Sequence, residues 1–384
     1  MSFQLTDEQE AIRDVVREFG ENEIRPVARE HDEHHRYPHD LVEQAARYDL
    51  VAPTIPEEYG GAGMDLLTAA VVTEELWRAD PGIGSAIGSR GFGTSMIEQF
   101  GDEWMKEEWL PPVAAGDAAT CSCISEPAHG SDVAGIETRA EQDEETGEWV
   151  LNGDKMWITN GTIADVAVVM AKTSPGERHR GITAFLIETD REGFSPTKID
   201  NKLGIRASDL AEIKLDDVRV PEDHVIGGVD QGFYQLMAFF AEGRTSVAAQ
   251  AVGAAQGALD AAREYAEERE QGGKPISEYQ AVSHKVAEMA TDVEAARSLT
   301  YRAATVVDEG GDDQRAAKFA SMAKLFASEH AVEVADEGIQ VHGGAGFVTD
   351  HPAERFYRDA RITKIYEGTS EIQKNIIADQ VFGR

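Results

Sequence analysis

Near the end of this 384-residue chain, Ile365-Tyr366-Glu367-Gly368-Thr369-Ser370-Glu371 sets a carboxylate among apolar and small neighbours, just before a segment that opens a helix. Desolvation disfavours the charged form of a carboxylate, so Glu367 has the setting of a general base. A second reading fits the same residues: Thr369 or Ser370 caps the helix and Glu367 is a solvated loop acid. Far upstream, Cys123-Ile124-Ser125-Glu126-Pro127-Ala128-His129-Gly130-Ser131-Asp132 puts hydroxyls and glycine at the end of a strand. Such a loop offers N–H and O–H donors to a phosphate or a ring edge, and a polar turn with Ser131 capping the next element also accounts for it. Lys155-Met156-Trp157-Ile158-Thr159-Asn160-Gly161 ends a β-like run. Residues two apart share a strand face, so Trp157 and Thr159 suit packing on, and hydrogen bonding to, one planar ring. A core Trp beside a turn Thr is the alternative.

Three regions must position these segments. From Leu5 to about Gly116 the pattern is helical, with Ile12, Val15, Val16 and Phe19 on one face and breaks at Pro38, Pro56, Gly60-Gly61 and Pro81-Gly82. From Ala118 to about Pro221 short β-like runs follow: Trp149-Val150-Leu151, Met156 to Thr159, Val166 to Ala171 and Ile182 to Ile187, with Asn152-Gly153 as a hairpin turn signal between two of them. Helical spacing then returns at Val282, Val286, Met289, Val293, Ala296, Ala303 and Val307, flanked by helices over about Gly232 to Glu268 and Gln314 to Gln340, with breaks at Gly310-Gly311 and Gly343-Gly344. The expected architecture is α+β and multidomain: an N-terminal helical domain (1–117), a middle barrel-like β-sheet domain (118–225) and a C-terminal four-helix bundle (226–384).

Composition narrows the partners. The chain carries 71 acidic against 36 basic residues, a formal charge of −35, which repels nucleic acid and anionic lipid. The acids are interspersed with apolar positions and no lysine precedes Lys106, the pattern of a surface adapted to high salt, where screening acts over about 3 Å at 1 M. No window supplies the roughly 18 apolar residues of a membrane span, and the opening Met1 to Gln9 lacks the basic flank and apolar stretch of an export signal, so a cytoplasmic protein is expected. Cys121 and Cys123 are poor disulfide partners and too few for a closed zinc site; both read as reduced core thiols, and no metal site is expected.

Taken together, the three segments resemble the acyl-CoA dehydrogenase family over nearly the whole chain. Further stretches agree: Pro56-Glu57-Glu58-Tyr59-Gly60-Gly61, Lys202-Leu203-Gly204-Ile205-Arg206-Ala207-Ser208, Asp217-Val218-Arg219-Val220-Pro221, Gly243-Arg244, and Gln340-Val341-His342-Gly343-Gly344-Ala345-Gly346-Phe347. The resemblance implies a homo-oligomer, a tetramer or less often a dimer, with FAD held between the β domain and the bundle of a neighbouring subunit. It implies that Ile124, Ser125, Trp157, Ile158 and Thr159 surround the flavin. Ser131 would serve pyrophosphate or substrate. Arg269, Gln271, Gln280, Gln340, Gly343 and Gly344 would reach across the interface to the adenosine and pyrophosphate, and Thr369 and Glu371 would return to the cofactor. Arg244, Tyr366 and Gly368 would contact the acyl-CoA.

The implied reaction is removal of the α-proton of an acyl thioester by Glu367 with hydride transfer to the flavin, giving a trans-2-enoyl-CoA, the electrons passing to an electron-transfer flavoprotein. The Glu367 N–H and the cofactor would hold the thioester carbonyl, an oxyanion-hole device. Four positions depart from the family pattern: Ser125 stands where threonine is commoner, Gly272 replaces an aromatic, Ala241 replaces an aspartate and His129 replaces a small residue. Some relatives take the base from the residue before the bundle arginine, which here is Gly243; Glu242 is one position too early. An acyl-CoA oxidase shares the base, and a silent helical scaffold would keep the fold without the chemistry.

Overall fold

The structure is a computed structural model whose described residues are 5–174 and 176–383. The opening Met1 to Gln4, part of the segment read for an export signal, lies outside them. Seven helices come first: α1 (Asp7–Phe19), α2 (Ala28–Glu33), α3 (His39–Ala46), α4 (Leu66–Ala79), α5 (Pro81–Gly88), α6 (Thr94–Phe100) and α7 (Glu103–Ala114). Their boundaries follow local chemistry. Thr6 and Gln9 form a reciprocal capping box at the start of α1, and Asp65 and Asp80 accept from the third residues of α4 and α5.

Eight strands follow: β1 (Thr120–Cys123), β2 (Arg139–Gln142), β3 (Trp149–Thr159), β4 (Val166–Lys172), β5 (Ile182–Glu188), β6 (Phe194–Lys198), β7 (Leu210–Val220) and β8 (Val225–Ile226). They form one sheet in the order β6-β7-β3-β2-β4-β5-β8, with β1 parallel to β4. All but the last residues of β4 and β5 are buried, so these two strands are covered on both faces and read as continuous apolar runs. The hairpin expected at Asn152-Gly153 does not exist. Both residues lie inside the 11-residue β3, where the register against β7 shifts between Leu151 and Gly153. A Cβ on Gly153 would stand 2.4 Å from Thr138 Oγ1, so the glycine admits a neighbouring chain rather than a turn. Cys121 and Cys123 are free and buried in β1.

The last region is a bundle of α8 (Gly232–Glu268), α9 (Gln280–Glu309), α10 (Asp313–His342) and α12 (Ser370–Phe382), with the short α11 (Ala353–Ala360) before α12 and a small hairpin of β9 (Glu270–Gln271) and β10 (Lys274–Pro275) after α8. At 37 residues α8 is about 55 Å long and runs past the other regions. Its small residues permit this: a Cβ on Gly253 would stand 2.3 Å from Glu74 O of α4, and one on Gly257 2.4 Å from the Phe356 ring of α11. Ion pairs tie the short α11 and α9 to the N-terminal helices. Arg355 meets Asp80 at 2.8 Å, Arg358 meets Asp32 at 2.7 Å and Arg297 meets Glu74 at 2.8 Å. The expected α+β architecture of helices, sheet and helices is the one observed. Among the described residues no helix is long and apolar enough to cross a membrane.

Candidate active site

The segment holding Ser125 leaves β1 and is fixed from beneath by a buried ion pair. Glu126 accepts from the N–H groups of Glu137 at 2.6 Å and Thr138 at 2.9 Å, and from Lys155 Nζ at 2.8 Å; Lys155 also donates to Ile124 O at 3.2 Å. Burial alone would raise Glu126, but the Lys155 ammonium and these bonds bring it below the usual carboxylate range. Burial lowers Lys155, with Glu126 opposing. Met156 N–H donates to Ser125 O at 2.9 Å, so the structure brings the Ser125 segment and the end of β3 together.

A second register shift falls between Lys155 and Ile158, with Trp157 in the left-handed region at φ 63°. The simple two-residue alternation expected for Trp157 and Thr159 is therefore broken by a bulge. Trp157 is 61% exposed, which rules out the core-Trp reading and leaves the indole presented on the surface. Thr159 is half-buried and Ile158 buried. The hydroxyls of Ser125 and Thr159 have no hydrogen-bond partner among the described residues. Ser131 is exposed and caps nothing by its side chain, while His129 packs on the turn at Gly135 and faces Glu137 at 3.7 Å.

On the bundle side, Thr369 caps α12, accepting from Ile372 N–H, yet Glu367 is not a solvated loop acid. Its Oε2 is shut off from solvent and has no hydrogen-bond partner among the described residues. Burial pushes the carboxylate up to about 6, against the opposing charges of Arg244 and Lys324. The residue sits at φ 52° followed by Gly368 at 91°, and no acceptor for its N–H occurs among the described residues. The position facing the carboxylate is Gly243 of α8, where an added Cβ would stand 2.9 Å from Glu367 Oε2. Glu242 points elsewhere and accepts from Gln99 Nε2 at 2.7 Å. Arg244 is buried, with its guanidinium 5.4 Å from the Phe240 ring centroid, and Tyr366 gives its hydroxyl to Gln250 of α8.

The remaining expected residues lie on the surface. Arg269, Gln271, Gln280, Gln340, Gly343, Gly344 and Glu371 are all exposed, and Arg269 has no ion pair among the described residues. Gly272 and Gly273 turn the β9–β10 hairpin at φ 63° and 86°, a geometry that favours glycine. Tyr279 stands beside that turn, its hydroxyl donating to Gln271 O at 2.7 Å. Residues that sequence reasoning did not single out are Lys155, Lys324 and Gln373, all buried. For Lys324 a signal existed, because it lies four residues after Ala320 and three before Ala327 on the small-residue stripe that α10 buries.

Models of the N-terminal, middle and C-terminal domains of acyl-CoA dehydrogenase match residues 6–117, 121–218 and 230–382. The chain belongs to the acyl-CoA dehydrogenase family. It is 39% identical over 380 residues to an acyl-CoA dehydrogenase of Bacillus subtilis, covering 99% of each chain. It is 41% identical over 379 residues to the human mitochondrial short-chain specific acyl-CoA dehydrogenase, covering 98% of this chain and 90% of that one. Among solved structures, butyryl-CoA dehydrogenase from Megasphaera elsdenii superposes with a TM-score of 0.94 at 36% identity over the full length of both chains. A glutaryl-coenzyme A dehydrogenase in complex with glutaryl-CoA gives 0.95 at 36% identity, covering 100% of this chain and 98% of that one. The family is FAD-dependent, and the residues present fit a flavin: an exposed indole, two hydroxyls on one segment pair and an exposed arginine side chain, these last three without a partner among the described residues of a strongly acidic chain.

Proposed function

We propose that this protein oxidises an acyl-CoA to its trans-2-enoyl-CoA, with Glu367 taking the α-proton. One observation carries the reading: Glu367 presents a solvent-shielded carboxylate oxygen, unpartnered among the described residues, over Gly243 of α8, a position that lacks a side chain. Its pKa near 6 leaves it ionised at neutral pH and close enough to the working range for proton transfer. The free Glu367 N–H would hold the thioester carbonyl as negative charge develops there. FAD, when bound, supplies the hydride acceptor. Ser125, Thr159 and Trp157 would hold its flavin, with Ile124 and Ile158 beside them, while Ser131 would meet its pyrophosphate or the substrate and Thr369 and Glu371 would return to the cofactor from the Glu367 loop. Arg269, Gln271, Gln280, Gln340, Gly343 and Gly344 would serve the adenosine half from the bundle of a neighbouring copy in a homotetramer. Arg244, Tyr366 and Gly368 would line the acyl-CoA, and electrons would leave to an electron-transfer flavoprotein in the cytoplasm. The similarity to short-chain and butyryl-CoA enzymes makes butyryl-CoA the first substrate to try, with glutaryl-CoA and longer and branched acyl-CoAs beside it.

The test is flavin bleaching on mixing the yellow protein with substrate under anaerobic conditions. Glu367→Gln keeps the side chain's size and removes its basic lone pair, so colour and substrate binding should persist while bleaching slows by at least about 10³-fold. Glu367→Asp should fall between the two. Bleaching at the normal rate in the Gln variant would remove Glu367 from the role.

A further inference from the structure

The bundle holds a second buried lysine, and unlike Lys155 it touches no carboxylate among the described residues. Lys324 is fully buried in α10, and no carboxylate lies within 4 Å of its Nζ among the described residues. Its hydrogen bond goes to the carbonyl of Gly368, at 2.7 Å, the residue directly after Glu367. Gln373 Nε2 grips the same turn, donating to Glu367 O at 3.1 Å and Gly368 O at 2.8 Å. An ammonium with no carboxylate in direct contact is costly inside a bundle, and a lysine serving packing alone would be replaceable by an apolar residue. The turn it holds is itself unfavourable, with Glu367 in the left-handed region.

We propose that Lys324 is the positioning residue of Glu367: its buried ammonium fixes the Gly368 carbonyl, and with it the turn, and supplies positive charge that keeps the neighbouring carboxylate ionised. The proposal rests on Glu367 being the base. The charges around the pair come from every element packed there. Arg244 projects from α8, Lys324 and Glu329 from α10, and Glu371 from the start of α12. Glu329 is already engaged, accepting from Ser370 Oγ and pairing with Lys364. Burial lowers Lys324 to about 8, so it is still a cation at pH 7, and after Arg244 it is the second positive charge opposing protonation of Glu367. Without it, the acidic form of Glu367 would persist to higher pH.

The experiment is anaerobic flavin bleaching by butyryl-CoA from pH 5.5 to 9 in the holoenzyme, for the parent protein and for Lys324→Met, Lys324→Gln and Lys324→Arg. Losing one nearby opposite charge should move the acid limb of the Met and Gln variants up by about one pH unit, a loss of about fivefold at pH 6 that closes above pH 8. Arg, which keeps the charge on a different shape, should leave the limb in place and lower the plateau. A second readout needs no turnover: at pH 8, Lys324→Gln should lower Tm more in the parent than in a Glu367→Gln background. Limbs that coincide in parent, Met and Gln variants, or equal Tm losses in the two backgrounds, would overturn the proposal. Should Glu367→Gln itself bleach normally, the reading of Glu367 as base falls instead, and the two failures are told apart.

Discussion

The two sides of the candidate site follow opposite electrostatic plans. On the β-domain side, the buried Lys155 has a carboxylate partner at 2.8 Å, and Glu126 is saturated with donors. On the bundle side, among the described residues, the buried Lys324 has only a carbonyl as hydrogen-bond partner and Glu367 Oε2 has none. A satisfied pair has little left to give chemically and serves to hold a segment still. An unsatisfied carboxylate beside two cations is poised to take a proton, and that readiness costs stability. The reactive group and the rigid support are thus distinguished by what their buried charges lack.

The largest effect expected outside the reaction itself is on the paired side. Lys155→Met strands Glu126 as a buried, unmatched charge, and thermal unfolding should report a loss of about 3–5 kcal/mol with FAD released on gel filtration. Adding Glu126→Gln to that variant should recover part of the loss. A stable, yellow Lys155→Met protein would erase the contrast between the two sides.

Gly243→Ala probes the opposite plan. The new methyl meets Glu367 Oε2 at 2.9 Å and must displace the carboxylate. A misplacement of up to about 1 Å should slow bleaching by as much as about a hundredfold, whereas a helical Gly→Ala change by itself stabilises by roughly 0.5–1 kcal/mol. The expected signature is slower bleaching with unchanged or higher Tm. An unaltered rate would mean that the carboxylate does not work from the place where it stands.

Arg269→Ala tests whether the exposed set belongs to a neighbour's cofactor. Removing a charge-assisted phosphate contact should weaken FAD retention by about 1.5–3 kcal/mol, and assembly should weaken with it. Retention and oligomer size equal to the parent's would detach Arg269 from the site.

The smallest effect sharpens the comparison most. Glu367 is raised from 4.5 to about 6 in the folded protein. The folded state therefore binds the proton more tightly than the unfolded state, stability falls as pH rises from 4.5 through 6, and the deficit is complete above that window. Glu367→Gln should remove it, raising stability at pH 8 by about 1–2 kcal/mol relative to the parent and by little at pH 4.5. A variant less stable than the parent at pH 8 would show that the carboxylate is not under strain there.

Much of the scaffold is legible in the sequence. Apolar steps of three and four specify α9, and paired glycines end α9 and α10 because both breaks use a positive φ. The continuous apolar runs of β4 and β5 announce strands covered on both faces. Asn152-Gly153 misleads for a definite reason. The pair satisfies a tight turn locally, but here the glycine serves the close passage of Thr138, a contact from a segment more than a dozen residues away in the chain.

The sequence alone determined the alternation of helical, β and helical regions, the three segments that carry chemistry and the family they resemble, because periodicity, turn residues and motif order are local properties. It also supplied both readings of Glu367, base and solvated acid, with no means of choosing. That choice belongs to the tertiary structure, since burial and the absence of a partner depend on α8, α10 and α12 meeting at one loop. The same holds for the two lysines, which are alike in sequence and opposite in surroundings. The electrostatic energy of a buried charge is set by neighbours distant in the chain, so only the packed molecule assigns Lys155 to holding a segment and Lys324 to the turn that carries the base.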